Sequence, residues 1–389
     1  MVRVTDIKEG FLNLSDCVYV SKDIFEQFTK KYQPQKDDIV ISRVGTYGVF
    51  SYVNTENAFC LGQNTAVISP RIYGKYLYYY LISRETKKQI EAQVVGSTQK
   101  TLSLKNIKNL KISLPKTYNQ RAIAATLSCL DDKIELNNKI NANLEAQAQA
   151  IFKSWFVNFE PFRDGDFVDS ALGMIPKGWR VGTFSELTDN LIAGDWGKDT
   201  LTGNNTKEVY CIRGADIPSI EQGHKGKMPL RYILPKNYEK KKIESGNLVV
   251  EISGGSPSQS TGRIVEITKS LLQRYDHEMI CTNFCKALSV RSGYSRFVYR
   301  YWKHLYQQNV MFGYENGTTG IKNFNISSFT ETHPIIIPPT DLVFKYSHNT
   351  DKLSDMVYQN GVQIETLAAL RDALLPKLMS GEIEVPVEV

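Results

Sequence analysis

The chain of 389 residues has no run of 18 apolar residues, and residues 1–10 lack the apolar core of a signal peptide. Those two absences predict a soluble, cytoplasmic protein with no membrane partner. Five histidines leave little room for His-based catalysis. The six cysteines, Cys17, Cys60, Cys129, Cys211, Cys281 and Cys285, are scattered through apolar contexts and read as reduced core residues. His277, Cys281 and Cys285 share a 4,4 spacing, but beside Ile280, Thr282 and Phe284 they read as a strand, where such residues stand about 13 Å apart. No metal site is expected. The chain also lacks GxxxxGK[ST], HExxH, GxSxG and the Asn/Asp-Pro-Pro-aromatic motif of amino-methyltransferases, so no catalytic residues are assigned.

Glycine and proline are missing from Asn119 to Phe159, and the stretch is bounded by Pro161. Its residues Ile123, Leu127, Leu130, Ile134, Asn137, Asn141, Leu144, Ala148, Ile151 and Trp155 keep strict 4,3 spacing, the seam of a coiled coil. The spacing returns at Leu353, Val357, Asn360, Ile364, Leu367, Arg371, Leu374 and Leu378. A seam two residues wide is too narrow for a globular core to cover, and a helix of about 37 residues projects about 55 Å. The two helices are therefore expected to pair antiparallel within one chain, with Asn360 close to Asn137 or Asn141. A homodimer zipper is the plainer alternative, weakened by two seams in one chain.

Charge alternates along the chain. Residues 1–116 carry 17 Lys+Arg against 10 Asp+Glu and residues 177–339 carry 21 against 15, whereas residues 117–176 and 340–389 are acidic. Two basic globular segments suit a polyanionic partner that the acidic helices would repel. The segments also repeat one another. Val2–Ile7 matches Cys211–Ile217, Asp37–Gly48 matches Gly246–Gly255, and Gln63–Pro70 matches Thr282–Val290. Tyr76–Ile82 then matches Phe297–Tyr306, and Gly96–Pro115 matches Gly317–Pro338. Short β-branched strands mixed with helices argue for α+β units. The expected order is a first domain at 1–116, a central helix at 117–160, a linker at 161–176, a second domain at 177–339, a C-terminal helix at 340–381 and a tail at 382–389. Residues 180–209 have no counterpart in the first unit, which is expected to be shortened at its N-terminal side.

The Gly-rich turns at 45–48 and 254–262 follow strands without opening helices, so their amides do not converge on a phosphate. As turns between strands they present Arg43, Thr46, Tyr47, Ser256, Ser258, Gln259 and Arg263 to DNA, since Arg pairs with guanine and Asn or Gln with adenine. Gln63, Asn64, Lys100, Asn283, Lys286, Thr318 and Lys322 complete the candidate set at corresponding places in the repeat.

Several short motifs add a family resemblance. Leu114-Pro115, Gln120 to Ala124, Leu130 to Ile134, Ile151 to Phe156, Ile175 to Trp179 and Leu374 to Ile383, in that order across nearly the whole chain, resemble the specificity subunit of Type I restriction-modification enzymes. The resemblance implies two target-recognition domains, each reading one half of a bipartite double-stranded DNA site. The two long helices would hold them about one DNA turn, roughly 34 Å, apart. It implies docking of two modification subunits, which methylate adenine, on residues such as Leu136, Ile140, Phe152, Phe156 and Leu370. Restriction subunits join the full complex. S-adenosylmethionine, ATP and magnesium are used by those partners, and this chain binds no cofactor and catalyses nothing. Competing readings are a DNA methyltransferase or nuclease with a divergent site, a coiled-coil adaptor, and an inactive or recombination-reservoir gene copy. The target bases and the spacer length are not legible in the residues.

Overall fold

The computed structural model describes residues 1–93, 100–256, 259–317 and 321–386. They pack as two units, Met1–Glu135 with Thr366–Val389, and Leu136–Glu365. Both are α+β. Among the described residues no helix is long and apolar enough to cross a membrane.

The first unit is organised on β1 (Gly10–Phe11), β2 (Ile39–Ser42), β3 (Phe50–Tyr52) and β4 (Thr65–Ile68), in the order β1-β3-β2-β4. The central strand β2 runs antiparallel to β3 and β4 and is buried throughout, as its Ile-Val-Ile run requires. Around the sheet lie α1 (Lys22–Thr29), α2 (Gly74–Ile82), α3 (Arg84–Gln93) and α4 (Leu104–Lys108). Every α2 residue from Tyr76 to Ile82 is buried. Such a helix needs partners for its phenols. Tyr76 donates to Ser113 O (2.8 Å), Tyr79 donates to Asp131 Oδ2 (2.7 Å), and Tyr78 Oη accepts from Gly10 N (2.7 Å).

The uninterrupted helix α5 (Thr117–Phe156) ends where Phe159 turns left-handed ahead of Pro161. In the second unit the segment expected as a linker is instead a hairpin of β5 (Phe167–Ser170) and β6 (Gly173–Pro176). Its apolar ends explain the difference. Ile175 and Trp179 are buried, and the Trp179 ring meets those of Phe156, Phe159 and Phe162.

There follow β7 (Arg180–Thr183), β8 (Thr188–Ala193), β9 (Lys207–Ile212), α6 (Ile217–Glu221), β10 (Leu230–Ile233), α7 (Pro235–Lys241), β11 (Leu248–Glu251) and β12 (Ser253–Gly254). The chain continues through β13 (Ile264–Glu266), α8 (Lys269–Leu272), β14 (Met279–Cys281), β15 (Cys285–Val290), α9 (Ser295–Gln307), β16 (Glu315–Asn316), β17 (Lys322–Phe324), α10 (Ile326–Thr332), β18 (Pro334–Ile337) and α11 (Thr340–Ser380). The main sheet has the order β13-β11-β15-β8, and a second sheet has β9 between β10 and β14. Strands β11, β13 and β15 pair as β2, β3 and β4 do in the first unit. The sequence repeat is thus a repeat of topology in these three strands, to which the first unit adds β1 beside β3 and the second adds β8 beside β15.

The two long helices pair antiparallel within each unit. In the second, Asn360 Nδ2 donates to Asn141 Oδ1 (2.8 Å), as the seam spacing predicts, and Asn137 Nδ2 donates to Gln363 Oε1 (2.6 Å). In the first, Arg371 Nη1 meets Asp131 Oδ1 (2.7 Å). Ile123, Leu127, Leu144, Val357, Ile364 and Leu378 are buried, but Leu130, Ile134, Ile151, Trp155, Leu353, Leu367 and Leu374 are only partly so. The reason is that globular elements do cover the helix. Packing of α2 and α9 on α5 buries a further column, Ala124, Ser128 and Asp131 in the first unit and Gln149, Phe152 and Phe156 in the second. The expectation that a core could not cover the seam is corrected, and so is the assignment of Phe152 and Phe156 to partner helices. Both rings are at most 1% exposed and sit against Phe297 and Tyr346.

At Gly361, α11 touches backbone. A Cβ there would lie 1.8 Å from Gly223 O, in a loop that Asn141 Nδ2 also holds through Gln222 O (3.0 Å). Gly361→Ala is expected to cost about 1–3 kcal/mol by overpacking. The measurement is a lowered denaturant midpoint with an unchanged m-value.

Candidate nucleic-acid interface

The candidate residues gather at one end of the main sheet in each unit. In the first, Arg43 N donates to Asn64 O (2.8 Å), Leu102 N donates to Arg43 O (2.9 Å), and Val44 bridges Thr101. Three separate segments therefore meet in one junction, which carries Arg43, Thr46, Tyr47, Gln63, Asn64 and Lys100. In the second unit Ile252 N donates to Phe284 O (2.8 Å), Phe324 N donates to Ile252 O (2.8 Å), and Ser253 pairs with Asn323. The junction has been built twice, bond for bond. The following helices are even capped alike, Ser103 Oγ accepting from Asn106 N and Asn325 Oδ1 from Ser328 N, both at 3.1 Å.

A second device repeats beside it. Arg3 N and Nε donate to Asp6 Oδ2 (2.8 and 3.1 Å) with Nη2 on Oδ1 (3.0 Å). Arg213 does the same to Asp216, at 3.1, 2.9 and 3.0 Å. In the second unit burial opposes ionisation of Asp216, but the Arg213 guanidinium and the amides of Lys227 and Arg213 outweigh it and hold its carboxyl below the usual range. These arginines are fixed by their own turns.

The geometry separates the candidates. Thr46, Gln63, Asn64, Lys100, Gln259 and Asn283 are exposed, and Tyr47, Ser256 and Lys286 are half-buried. Three cations are already engaged. Arg43 Nε donates to Leu102 O (3.1 Å), closing the junction. Arg263 grips buried Glu251 through Nε (2.8 Å) and Nη2 (2.6 Å). Lys322 pairs with Glu315 (2.9 Å). Burial works against the Glu315 carboxylate, but Lys322 and the Thr261 amide and hydroxyl hold it below the ordinary range. Arg263 and Lys322 thus hold loops in place, and Ser258 and Thr318 lie outside the described residues. Removing Arg263 with Arg263→Ala should destabilise the second unit by about 2–4 kcal/mol, because Glu251 is 5% exposed and loses a bidentate partner. Thermal unfolding checks this.

Sequence reasoning missed Trp196, Phe284, Ile321 and Asn323. Phe284 is 57% and Ile321 65% exposed at the junction, and Asn323 Oδ1 accepts from Ser253 Oγ (2.8 Å). Trp196 follows Gly194 and Asp195, which lie against the Cys281–Thr282 backbone. Its ring is 41% exposed and stacked 4.0 Å from the Arg231 guanidinium. Large apolar residues flanked by Gly, Asp and Asn were the available signal.

Cys281 ends β14 and Cys285 opens β15, with burial pushing the Cys285 thiol up to about 12. His277 Nε2 instead faces Glu208 (3.2 Å). Among the described residues no group of three His, Cys, Asp or Glu could hold a metal ion.

A family model described as the Type I restriction modification DNA specificity domain matches residues 5–146. The Type I restriction enzyme MjaIX specificity subunit of Methanocaldococcus jannaschii is 28% identical over 343 residues, 85% of this chain and 74% of that protein. The Type I restriction enzyme HindI specificity subunit of Haemophilus influenzae is 24% identical over 435 residues, covering 90% and 87%. A crystal structure of the S subunit of a Type-I restriction-modification system from M. genitalium aligns over 92% of this chain and 86% of that one, with 19% identity and a TM-score of 0.49.

Proposed function

Because this chain belongs to the family of Type I restriction-modification specificity subunits, which recognise DNA sequence, we propose that each unit reads one half of a bipartite double-stranded target. The observation that carries this is the doubled junction, the same three segments joined by the same hydrogen bonds at the end of two sheets. A rigid loop cluster with exposed Gln63, Asn64, Gln259 and Asn283 suits base edges in a major groove, where amide side chains can bond adenine bidentately. Exposed side chains on the long helices, Leu136 at 50% and Leu370 at 47%, are the sites for two modification subunits. Phe344, Met356 and Val362 of α11 extend that set. Restriction subunits complete the assembly, which works in the cytoplasm. Methyl transfer from S-adenosylmethionine and ATP- and magnesium-dependent cleavage belong to those partners. This chain supplies position and sequence choice.

The test is adenine-methylation mapping in cells that express this chain with its modification subunit. The expected motif has two defined halves separated by unspecified bases. A motif with one defined half, or a palindrome of that half, would show that only one unit reads DNA. Asn283→Ala should leave thermal stability within about 0.5 kcal/mol, since Asn283 is exposed. It should also relax one position of one half-site by about 1–3 kcal/mol.

A further inference from the structure

The doubled junction does not carry the same chemistry twice. Strands β2 and β4 run from Ile39 opposite Ile68 to Ser42 opposite Thr65, and β11 and β15 run in step with them, from Leu248 opposite Leu288 to Glu251 opposite Cys285. Positions in the two units therefore correspond one to one. A step beyond the last pair, Arg43 N donates to Asn64 O and Ile252 N to Phe284 O, both at 2.8 Å. Gln63-Asn64 in the first unit is thus Asn283-Phe284 in the second. The leading residue is an exposed amide in both units, but the one that follows is an amide in the first and a phenyl in the second.

Phe284 is held in place by its backbone, not by its ring. Its carbonyl also accepts from Ser253 N (3.3 Å), and Cys285 N closes the turn on Thr282 O (2.9 Å). The side chain is nevertheless 57% exposed and gives up much of the free energy that burying an aromatic ring supplies. Two more large apolar residues stand beside this turn. Ile321, 65% exposed, lies two residues ahead of Asn323, the partner of Ser253. Trp196, 41% exposed, follows Asp195, whose amide donates to Cys281 O (2.8 Å) on the strand that leads into the turn. Exposed apolar groups gathered at one end of a sheet mark a contact surface. A phenyl has neither donor nor acceptor, so it cannot read the hydrogen-bonding edge of a base. The apolar group that a base edge displays in the major groove is the C5-methyl of thymine.

We propose that Phe284 is a specificity-determining residue that reads a thymine methyl group in the half-site of the second unit, whereas Asn64 at the matching place in the first unit offers an amide to adenine. The inference rests on the reading of DNA by each unit proposed above. Neighbouring residues stand about 3.8 Å apart along the chain, close to the base-pair rise of about 3.4 Å. The thymine therefore lies within one base pair of the position that Asn283 reads.

The test uses the complex of this chain with its modification subunit, and duplexes that carry the motif found by methylation mapping, all at one salt concentration. Each thymidine is replaced in turn by deoxyuridine, which lacks only the methyl group. One replacement, within one base pair of the position that Asn283→Ala relaxes, is expected to weaken binding about fourfold, the effect of one buried methyl group. Phe284→Ala should bind the parent duplex more weakly by about fourfold or more and no longer distinguish deoxyuridine from thymidine there. Its thermal midpoint should stay unchanged, since the ring is exposed. Phe284→Leu keeps an apolar side chain and should retain the discrimination. A motif with both halves defined, in which no deoxyuridine weakens binding or the discrimination survives Phe284→Ala, overturns this assignment and leaves DNA reading by the unit standing. A motif whose second half is undefined overturns both. Indifference to the methyl group, together with a bent duplex that straightens with Phe284→Ala, would make the ring a wedge between base steps and reject methyl reading.

Discussion

Exchanging residues 177–339 for the equivalent domain of another specificity subunit will replace one half of the methylated motif and leave the other half untouched. The structure makes the exchange feasible because the segment opens and closes at one place. Strand β7 at its start pairs antiparallel with β18 at its end, Arg180 opposite Ile337 and Thr183 opposite Pro334. The cut points therefore lie in neighbouring strands, and a foreign domain of the same topology can be joined there with little distortion. The core cluster of that segment is closed from below by Phe152, Phe156 and Tyr346 of the long helices. An exchanged domain must offer matching rings, which is the reason to choose a donor with Phe or Tyr at the positions of Phe297 and Tyr301. Methylation mapping of the chimaera is the measurement. If both halves of the motif change, reading is not modular and the two junctions act as one site. If neither changes, residues 177–339 do not read sequence.

Spacing rules made the helices and the repeat legible in the sequence, because periodicity survives without knowledge of neighbours. The pairing of Asn141 with Asn360 was within reach for that reason. The burial pattern was not. Phe152 and Phe156 sit one residue beyond the seam positions Ile151 and Trp155, and only the packing of α9 on that face shows which pair is inside. The interface was legible as a set of turns but not by member. Arg263 and Asn283 look equally suited to a base in the sequence, yet one is clamped by Glu251 and the other faces solvent. A buried carboxylate 12 residues away in sequence gives no local signal. The segment 161–176 departs in the opposite sense, since it reads as a linker while Ile175 within it and Trp179 just after it anchor a hairpin in the aromatic core.

Glu145→Ala is expected to be among the most destabilising single changes in the second unit. The Glu145 carboxylate on α5 receives both Arg300 Nη1 (2.5 Å) and Lys303 Nζ from α9. Lys303 also reaches Glu221 (3.0 Å), while the Arg300 side chain is only 4% exposed. Removing the carboxylate leaves a buried guanidinium without its counter-charge, a change that costs about 3–5 kcal/mol. At about 2–4 °C per kcal/mol for a unit of this size, melting should fall by roughly 6–20 °C. The double variant Glu145→Met with Arg300→Met should recover most of that loss, because replacing a buried pair by apolar groups of similar volume is far cheaper than breaking it. Lys303 keeps Glu221 in that background. Titration gives an independent check. Burial opposes the Glu145 charge, but Arg300 and Lys303 outweigh it and hold the carboxyl down at about 2 against an ordinary 4.5. A depressed acid stabilises the fold fully above its unfolded value and loses that contribution as the pH falls towards its folded one. Stability of the native chain should therefore decline between about pH 4.5 and 2 in part through this group, and Glu145→Gln should flatten that limb. Glu266, pushed up by burial despite Arg296 at 3.0 Å, has the opposite sign and loses stability as the pH rises. Equal acid slopes in the native chain and Glu145→Gln would show that the carboxylate is not what holds α9 to the long helix, and the predicted collapse of Glu145→Ala would then have to fail as well.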